Sequence, residues 1–281
     1  MGKYIDMHIH SIKSDGEKSI TELFEMAKER NIATLSITDH DALPDGINED
    51  IAKDYDIKYV RGTEISSIMD DKIKMHILAY NFQEDKLKKL IDNIQSLRKE
   101  RLLTILRVLE QKKNIVFEDE KIEDILNRDG SISTLHLMQL LLEEGYGDNF
   151  DYIYDNYIKP YRTKINIRKN SSEVLQTIHH DKGISVLAHP KKIETSYHID
   201  IEEIIPTLID QGLAGIEVSH SIHTREDIKR YRLLALKYNL LMSAGSDYHG
   251  PHIRLNRVLG EVSKEKDKVK EITLLDKINR L

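Results

Sequence analysis

The chain has 281 residues, 42 Lys+Arg against 48 Asp+Glu, 13 His and neither Cys nor Trp. Its length suffices for one large domain or two ordinary ones, and 40% hydrophobic with 32% charged residues excludes a disordered chain. A net charge of -6 argues against a bulk electrostatic grip on nucleic acid, stable double-stranded DNA binding included, but leaves room for a local basic groove that holds a short strand.

Without cysteine there is no disulfide, thiolate nucleophile or zinc finger, so any metal must be held by His and carboxylates. Residues 4–10 read as a strand rather than a signal peptide, and Asp6 stands where a myristoylation signal wants Ser or Thr. No apolar run approaches the roughly 20 residues that span a bilayer. The expectation is a soluble, cytoplasmic protein.

In chain order, residues 4–9 alternate, with Ile5, Met7 and Ile9 on one face and Asp6, His8 and His10 on the other. Ser19-Ile20-Thr21-Glu22 is a capping box opening a helix that buries Ile20, Leu23, Phe24 and Ala27 and ends near Asn31. Strands are expected at 33–38, 57–60 and 75–79, then at 184–188, 214–219 and 240–244, with helices over 202–211 and 225–238 between the later ones. This alternation predicts parallel strands with crossover helices. No glycine-rich dinucleotide fingerprint follows the first strand, so a TIM-like barrel of seven strands fits better than a Rossmann sheet.

The middle differs. No glycine occurs between Gly62 and Gly130, and no proline between Pro44 and Pro160. Residues 85–113 read as one long or two short helices, followed by helical patterns at 122–126, 134–144 and 150–158. The expected organisation is a barrel first part at 1–82, a helical insertion at 83–168 and a barrel second part at 169–281. The charge run 263–270 reads as a solvated surface.

Histidines and carboxylates cluster at strand ends. His8 and His10 share one face of the first strand, roughly 6.6 Å apart along the chain, and Asp247 and His249 repeat that spacing after the seventh. Asp15 sits in the loop after the first strand, and His40, Glu64, His76 and His189 fall in or after the other strands. A lone His at a strand end is usually a hydrogen-bonded structural residue; agreement among nine positions points to metal. Nine donors exceed what one ion takes, so two or three divalent ions (Mn, Zn or Fe) are implied, with Glu64 or Asp247 available to bridge. Paired ions suit phosphoester hydrolysis.

These residues also carry a resemblance. Asp6-Met7-His8-Ile9-His10-Ser11 with Ser14-Asp15-Gly16 resembles the opening motif of the PHP (polymerase and histidinol phosphatase) superfamily. Thr38-Asp39-His40-Asp41, Gly62-Thr63-Glu64-Ile65-Ser66, His76-Ile77-Leu78-Ala79-Tyr80, Ala188-His189-Pro190 and Gly245-Ser246-Asp247-Tyr248-His249-Gly250 are similar to its later motifs, in order. The insertion and Gly215-Ile216-Glu217-Val218-Ser219-His220-Ser221 resemble the branch of phosphoesterases acting on 3′,5′-nucleoside bisphosphates and short RNA 5′ ends.

The resemblance implies a distorted seven-stranded β/α barrel. It implies a trinuclear site with His8, His10, Glu64 and Asp247 at one metal, Asp15, His40 and His249 at a second, and Glu64, His76 and His189 at a third. It also implies attack on phosphorus by a metal-bound water held by Glu64 and Asp247. That branch usually shows Arg-Pro-His where this chain has Thr134-Leu135-His136, so a bidentate phosphate contact is lost. Either Arg162, Lys164 or another base substitutes, or the substrate differs.

His136, Arg162, His220, His223 and Arg254 are candidate substrate contacts. His220 and His223 face the mouth, where they would grip phosphate or protonate a leaving group, or simply pack a loop. His179, His180 and His198 read as solvated and His252 as a loop residue. Tyr152, Tyr154, Tyr157 and Tyr161 read as packing for a small helical domain rather than as base-stacking groups. The expected function is a metal-dependent phosphoesterase acting on a small nucleotide or short RNA. The alternatives are a histidinol-phosphate phosphatase and a non-catalytic metal-binding module.

Overall fold

The computed structural model describes residues 4–44, 47–161, 163–253, 256–262 and 272–280; Arg162, Arg254 and the charge run 263–270 lie outside them. β1 (Tyr4–Ile9) is buried on both faces. Ile5 and Met7 enter the main apolar core and Ile9 a smaller one, while Asp6, His8 and His10 face a polar interior. α1 (Ile20–Glu29) opens on the expected capping box between Ser19 and Glu22 and buries Leu23, Phe24 and Ala27 in the smaller core. Burying side chains such as Leu23 and Phe24 contributes roughly 1.5–3 kcal/mol each. β2 (Ile32–Ile37), α2 (Ile47–Asp54) and β3 (Lys58–Tyr59) follow, and β1, β2 and β3 form a parallel three-stranded sheet.

The next two strands depart from expectation. β4 (Gly62–Met69) is a full eight-residue strand, so Glu64 lies inside a strand and not in a loop after one. β5 (Ile73–Tyr80) returns antiparallel to it. The turn passes through Asp70 and Asp71 at φ 50° and 54°, the left-handed geometry whose twist suits a hairpin and which aspartate tolerates. His76 therefore sits mid-strand opposite Ser66, diagonal to Glu64 on the same face, because the hairpin register puts it there.

A single 28-residue helix, α3 (Lys86–Lys113), leads into the middle of the chain. Its first half buries Leu87, Leu90, Ile91 and Ile94 in the main core. Its second half, with Leu102, Ile105 and Leu109, helps form a separate core with α4 (Asp119–Leu126), α5 (Thr134–Glu143) and α6 (Phe150–Ile153). Tyr154, Tyr157 and Tyr161 pack against that core, whereas Tyr152 is exposed. No strand interrupts residues 86–161.

The chain returns through β6 (Lys169–Asn170), α7 (Ser171–His180), β7 (Ile184–Leu187), α8 (Pro190–Tyr197), α9 (Ile205–Asp210), β8 (Gly215–His220), α10 (Arg225–Lys237), β9 (Leu241–Gly245) and α11 (Thr273–Ile278). The helix expected over 202–211 is divided into a 3-10 turn, Ile201–Glu203, and α9, whose first turn holds Pro206. Nine strands are thus present among the described residues instead of seven. They lie in the three-stranded sheet and a mixed six-stranded sheet of order β6-β4-β5-β7-β8-β9. These are two sheets and not one closed barrel. Two isolated parallel bridges, Ile9 to Tyr248 and His40 to Glu64, join them. Gly245 allows β9 to approach β1 closely: a Cβ there would meet His8 Cβ at 2.1 Å. No helix among the described residues is long and apolar enough to cross a membrane.

Candidate metal centre

Glu64 organises the interior between the sheets. Its Oε1 lies 2.9 Å from both His76 Nδ1 and His189 Nε2. Its Oε2 lies 3.1 Å from His8 Nε2, 3.2 Å from His10 Nε2 and 3.0 Å from His40 Nδ1. Asp247 Oδ1 approaches His10 Nε2 at 3.2 Å and His8 Nε2 at 3.5 Å, and Asp15 Oδ1 approaches His249 Nε2 at 3.4 Å. All nine side chains expected from their positions along the strands therefore meet in one pocket.

Most of these contacts lack hydrogen-bond geometry. His8 Nε2, His10 Nε2, His40 Nδ1, Glu64 Oε2, His189 Nδ1 and His249 Nε2 are buried without a hydrogen-bond partner, which native interiors rarely tolerate unless an ion or water serves them. Donor atoms of His10, Asp15, His40 and His249 lie within 4.8 Å of one another, as do those of His8, His10, Glu64 and Asp247, and those of His40, Glu64 and His76. Imidazole and carboxylate donors in such groups suit Zn, Mn or Fe. The residues present fit divalent ions.

The PHP domain family model matches residues 6–221. The chain belongs to this family. Among its relatives, a phosphoribosyl 1,2-cyclic phosphate 1,2-diphosphodiesterase of Eggerthella lenta is 28% identical over 264 residues, covering 90% of this chain and 97% of the relative. A 5′-3′ exoribonuclease of Haemophilus influenzae is 27% identical, with 89% and 92% covered. A 3′,5′-nucleoside bisphosphate phosphatase of Chromobacterium violaceum is 28% identical, with 88% and 87% covered. Of solved structures, an amidohydrolase of Chromobacterium violaceum with bound sulfate superposes at TM-score 0.80 and 24% identity, covering 99% of this chain and 96% of that one. This likeness shows the fold.

Charge around the PHP centre is strongly coupled. Burial opposes protonation of His8, but Glu64, Glu217 and Asp247 outweigh it and hold its pKa well above the ordinary range. His10 is likewise lifted to about 9 against burial, by the Asp247 and Glu64 carboxylates 3.2 Å from its Nε2. Burial works against ionising Glu64, Asp15 and Asp247, yet neighbouring imidazoles keep all three carboxyls well below their ordinary values. Burial pushes His189 down to about 3. The pocket holds carboxylates that stay ionised and imidazoles competing for too few protons, a charge state that a divalent cation would complete.

Tautomers follow from the second nitrogens. His8 Nδ1 faces Glu217 Oε1 at 3.1 Å, and His249 Nδ1 donates to the Asp247 carbonyl at 2.8 Å, so in each ring Nε2 is the nitrogen left to serve a cation. His220 is different: its Nδ1 accepts from Ile222 N at 3.2 Å, which leaves the hydrogen on Nε2, 3.4 Å from Asp247 Oδ2. His220 is a donor at that position. His223 is buried beside it with Nδ1 donating to Val218 O at 3.0 Å, and burial pushes it down to about 3.

Several positioning groups escaped the sequence reading. Asp6 accepts from Ser246 N, Ser246 Oγ and Gly260 N at 2.9, 2.6 and 2.8 Å, tying β1 to the segment carrying Asp247. Asp39 accepts from Ser11 N, Ser11 Oγ and Ser14 Oγ at 2.8, 2.6 and 2.6 Å. Asp41 accepts from Ser66 N at 2.7 Å and from Arg98 of α3. Arg257 binds the Asp247 carbonyl and its Oδ2. Their signal was present, since these aspartates lie beside or one residue from the histidines, but spacing alone assigned them no partner. Asp41, His189 and Asp247 all take left-handed backbone conformations, at φ 48°, 32° and 54°, the kind of strain that functional sites retain.

Among the substrate candidates, His136 is engaged. Its Nδ1 accepts from Ser133 N at 3.0 Å, capping α5, and the ring also bonds the Ser14 backbone. It braces the helical segment against the loop after β1. Thr134 accepts from Arg101 of α3 at 3.3 Å. Lys164 is exposed.

Proposed function

We propose that this PHP chain is a metal-dependent phosphoesterase that hydrolyses phosphate esters of nucleotides or of short oligoribonucleotides. The observation that carries the reading is the enclosed set of nine imidazoles and carboxylates whose inward atoms lack hydrogen-bond partners. Relatives named as a cyclic phosphate diphosphodiesterase, a 5′-3′ exoribonuclease and a 3′,5′-nucleoside bisphosphate phosphatase support it.

In this reading His8, His10, Glu64 and Asp247 hold one ion, Asp15, His40 and His249 a second, and Glu64, His76 and His189 a third. The sheets form a distorted barrel in two parts, 1–82 and 169–281, with 83–168 inserted. Bound ions supply charge neutralisation at phosphorus and a lowered pKa for the attacking water. The protein's own residues do the rest. Glu64 and Asp247 stay ionised and orient the imidazoles around them. His220 holds a proton at Nε2 and presents it toward the pocket, positioned to donate to a phosphoryl or leaving-group oxygen. Arg257 fixes the rotation of the Asp247 carboxylate, so that Oδ1 faces the imidazoles.

The test is hydrolysis of adenosine 3′,5′-bisphosphate, a ribose cyclic phosphate, a short 5′-phosphorylated RNA and histidinol phosphate, read as freed phosphate for the monoesters and as ring-opened product or released nucleotide for the diesters, before and after chelation and with Mn²⁺ restored. Nucleotide or RNA turnover that chelation abolishes is expected. Turnover of histidinol phosphate alone, or of nothing, overturns the proposal.

A further inference from the structure

Asp15 and His249 approach each other to 3.4 Å although they come from opposite ends of the chain. Of the donor groups among the described residues, both belong only to the one they form with His10 and His40. Each stands on a loop, Asp15 after β1 and His249 after β9, so their meeting depends on what fastens the two loops together. The first loop is closed on itself. Ser11 O accepts from Ser14 N at 3.1 Å and from Gly16 N at 2.9 Å, and Ile12 N donates to Lys18 O at 2.9 Å. From this loop Glu17 reaches across to the second. Its backbone N donates to His249 O at 2.8 Å. Its Oε1 accepts from His252 N at 2.8 Å and Ile253 N at 2.7 Å, and its Oε2 lies 2.8 Å from His252 Nδ1. The second loop passes close over this side chain: Gly250 takes φ 120°, and a Cβ there would meet Glu17 Cβ at 2.6 Å.

We propose that Glu17 is a positioning residue for the ion assigned to Asp15, His40 and His249: it latches the loop carrying His249 to the loop carrying Asp15, and so sets the affinity for that one ion. This role rests on the metal centre of the phosphoesterase reading, whatever the ester cleaved. Glu17 belongs to none of the donor groups among the described residues, so it acts through the loops and not as a ligand. Without its bonds, ordering of residues 249–253 falls to the ion, and the free energy of that ordering is subtracted from binding. Glu64, His76 and His189 stand on β4, on β5 and after β7, outside both loops, so their ion keeps its affinity. The latch needs reach rather than charge. Glutamine keeps the length and an oxygen that can accept both backbone N–H groups, while the exposed His252 ring can offer Nδ1 as an acceptor to the amide. Aspartate keeps the charge but falls one methylene short.

The test dialyses the chelator-stripped full chain and its Glu17→Ala, Glu17→Asp and Glu17→Gln variants against graded Mn²⁺. Bound ions per chain are counted by elemental analysis, with circular dichroism as the check on folding. In Glu17→Ala and Glu17→Asp one class of ion is expected to need about 10–100-fold more free Mn²⁺, the scale on which loss of an outer partner is felt, while the rest bind as in the unaltered chain. Glu17→Gln is expected to bind like the unaltered chain. Glu17→Gln as weak as Glu17→Ala, or Glu17→Asp as tight as the unaltered chain, assigns the effect to charge and overturns the latch. Binding unchanged in Glu17→Ala and Glu17→Asp, or weakened alike for every ion, also overturns it. If Glu17→Ala does not fold, Glu17→Asp decides the matter on the same criteria. An unaltered chain that takes up no Mn²⁺ refutes the metal centre and the latch with it, whereas uptake that the variants share in full removes the latch alone.

Discussion

The Glu217 carboxylate lies 3.1 Å from His8 Nδ1, and its other oxygen accepts the His189 backbone N–H at 2.7 Å. One buried side chain thus sets the tautomer of a histidine on β1 and the strained backbone of a histidine before α8. Glu217→Gln keeps the shape and removes the charge. Loss of such an outer partner weakens metal affinity by about 10–100-fold. Metal titration of the purified variant checks this, and an unchanged affinity would show that Glu217 only fills space.

Glu64→Gln and Asp247→Asn are each expected to lower turnover by about a hundredfold or more, the scale on which removal of one preorganised polar group is felt. Both side chains sit among imidazoles and not in the apolar cores, so circular dichroism should report a folded chain. Normal turnover in both variants contradicts their place in the centre.

His136 ties acid sensitivity to a helix cap. Burial, then Arg128, pushes it down to about 4 from 6.5, and its Nδ1 must stay unprotonated to accept from Ser133 N. Because the folded-state value is depressed, the unfolded chain binds the proton first. The stabilisation is complete above pH 6.5 and is lost as pH falls toward 4, up to about 3 kcal/mol. Thermal unfolding across that window should be flatter in His136→Gln, whose carbonyl can still accept. An identical slope refutes the assignment.

Arg98 reaches from α3 to Asp41 and to the Ile132 carbonyl. Arg98→Met leaves the fully buried Asp41 carboxylate without its cation, at a cost of about 3–5 kcal/mol. The double variant with Asp41→Asn should lose less than the sum of the two single losses, as a denaturation cycle will measure. Strict additivity shows that the pair is not coupled.

Much of the centre was legible because its chemistry is written in short local patterns. His8 and His10 share a strand face by two-residue periodicity, and Asp247 and His249 repeat that spacing after the last strand. What stayed hidden depends on pairing. Polar residues at Glu64, Ser66 and Ser67 disguised β4, since a strand facing a buried polar pocket does not look hydrophobic. The hairpin then reversed β5, so His76 reaches the pocket by cross-strand register and not by standing at a strand end. Asp6, Arg98, Glu217 and Arg257 find their partners through contacts far along the chain, which spacing does not encode.

The bond between Asp6 and Ser246 spans 240 positions, and with it comes a timetable. On the ribosome the β4–β5 hairpin and its Glu64–His76 pair can close early and meet His8, but the Asp6 carboxylate lacks Ser246, and His8 lacks Asp247, until some 240 further residues have been translated. Assembly of the centre is therefore a late, high-contact-order event. A nascent product that stops short of Ser246 lacks Asp247 and His249 and so cannot complete the centre.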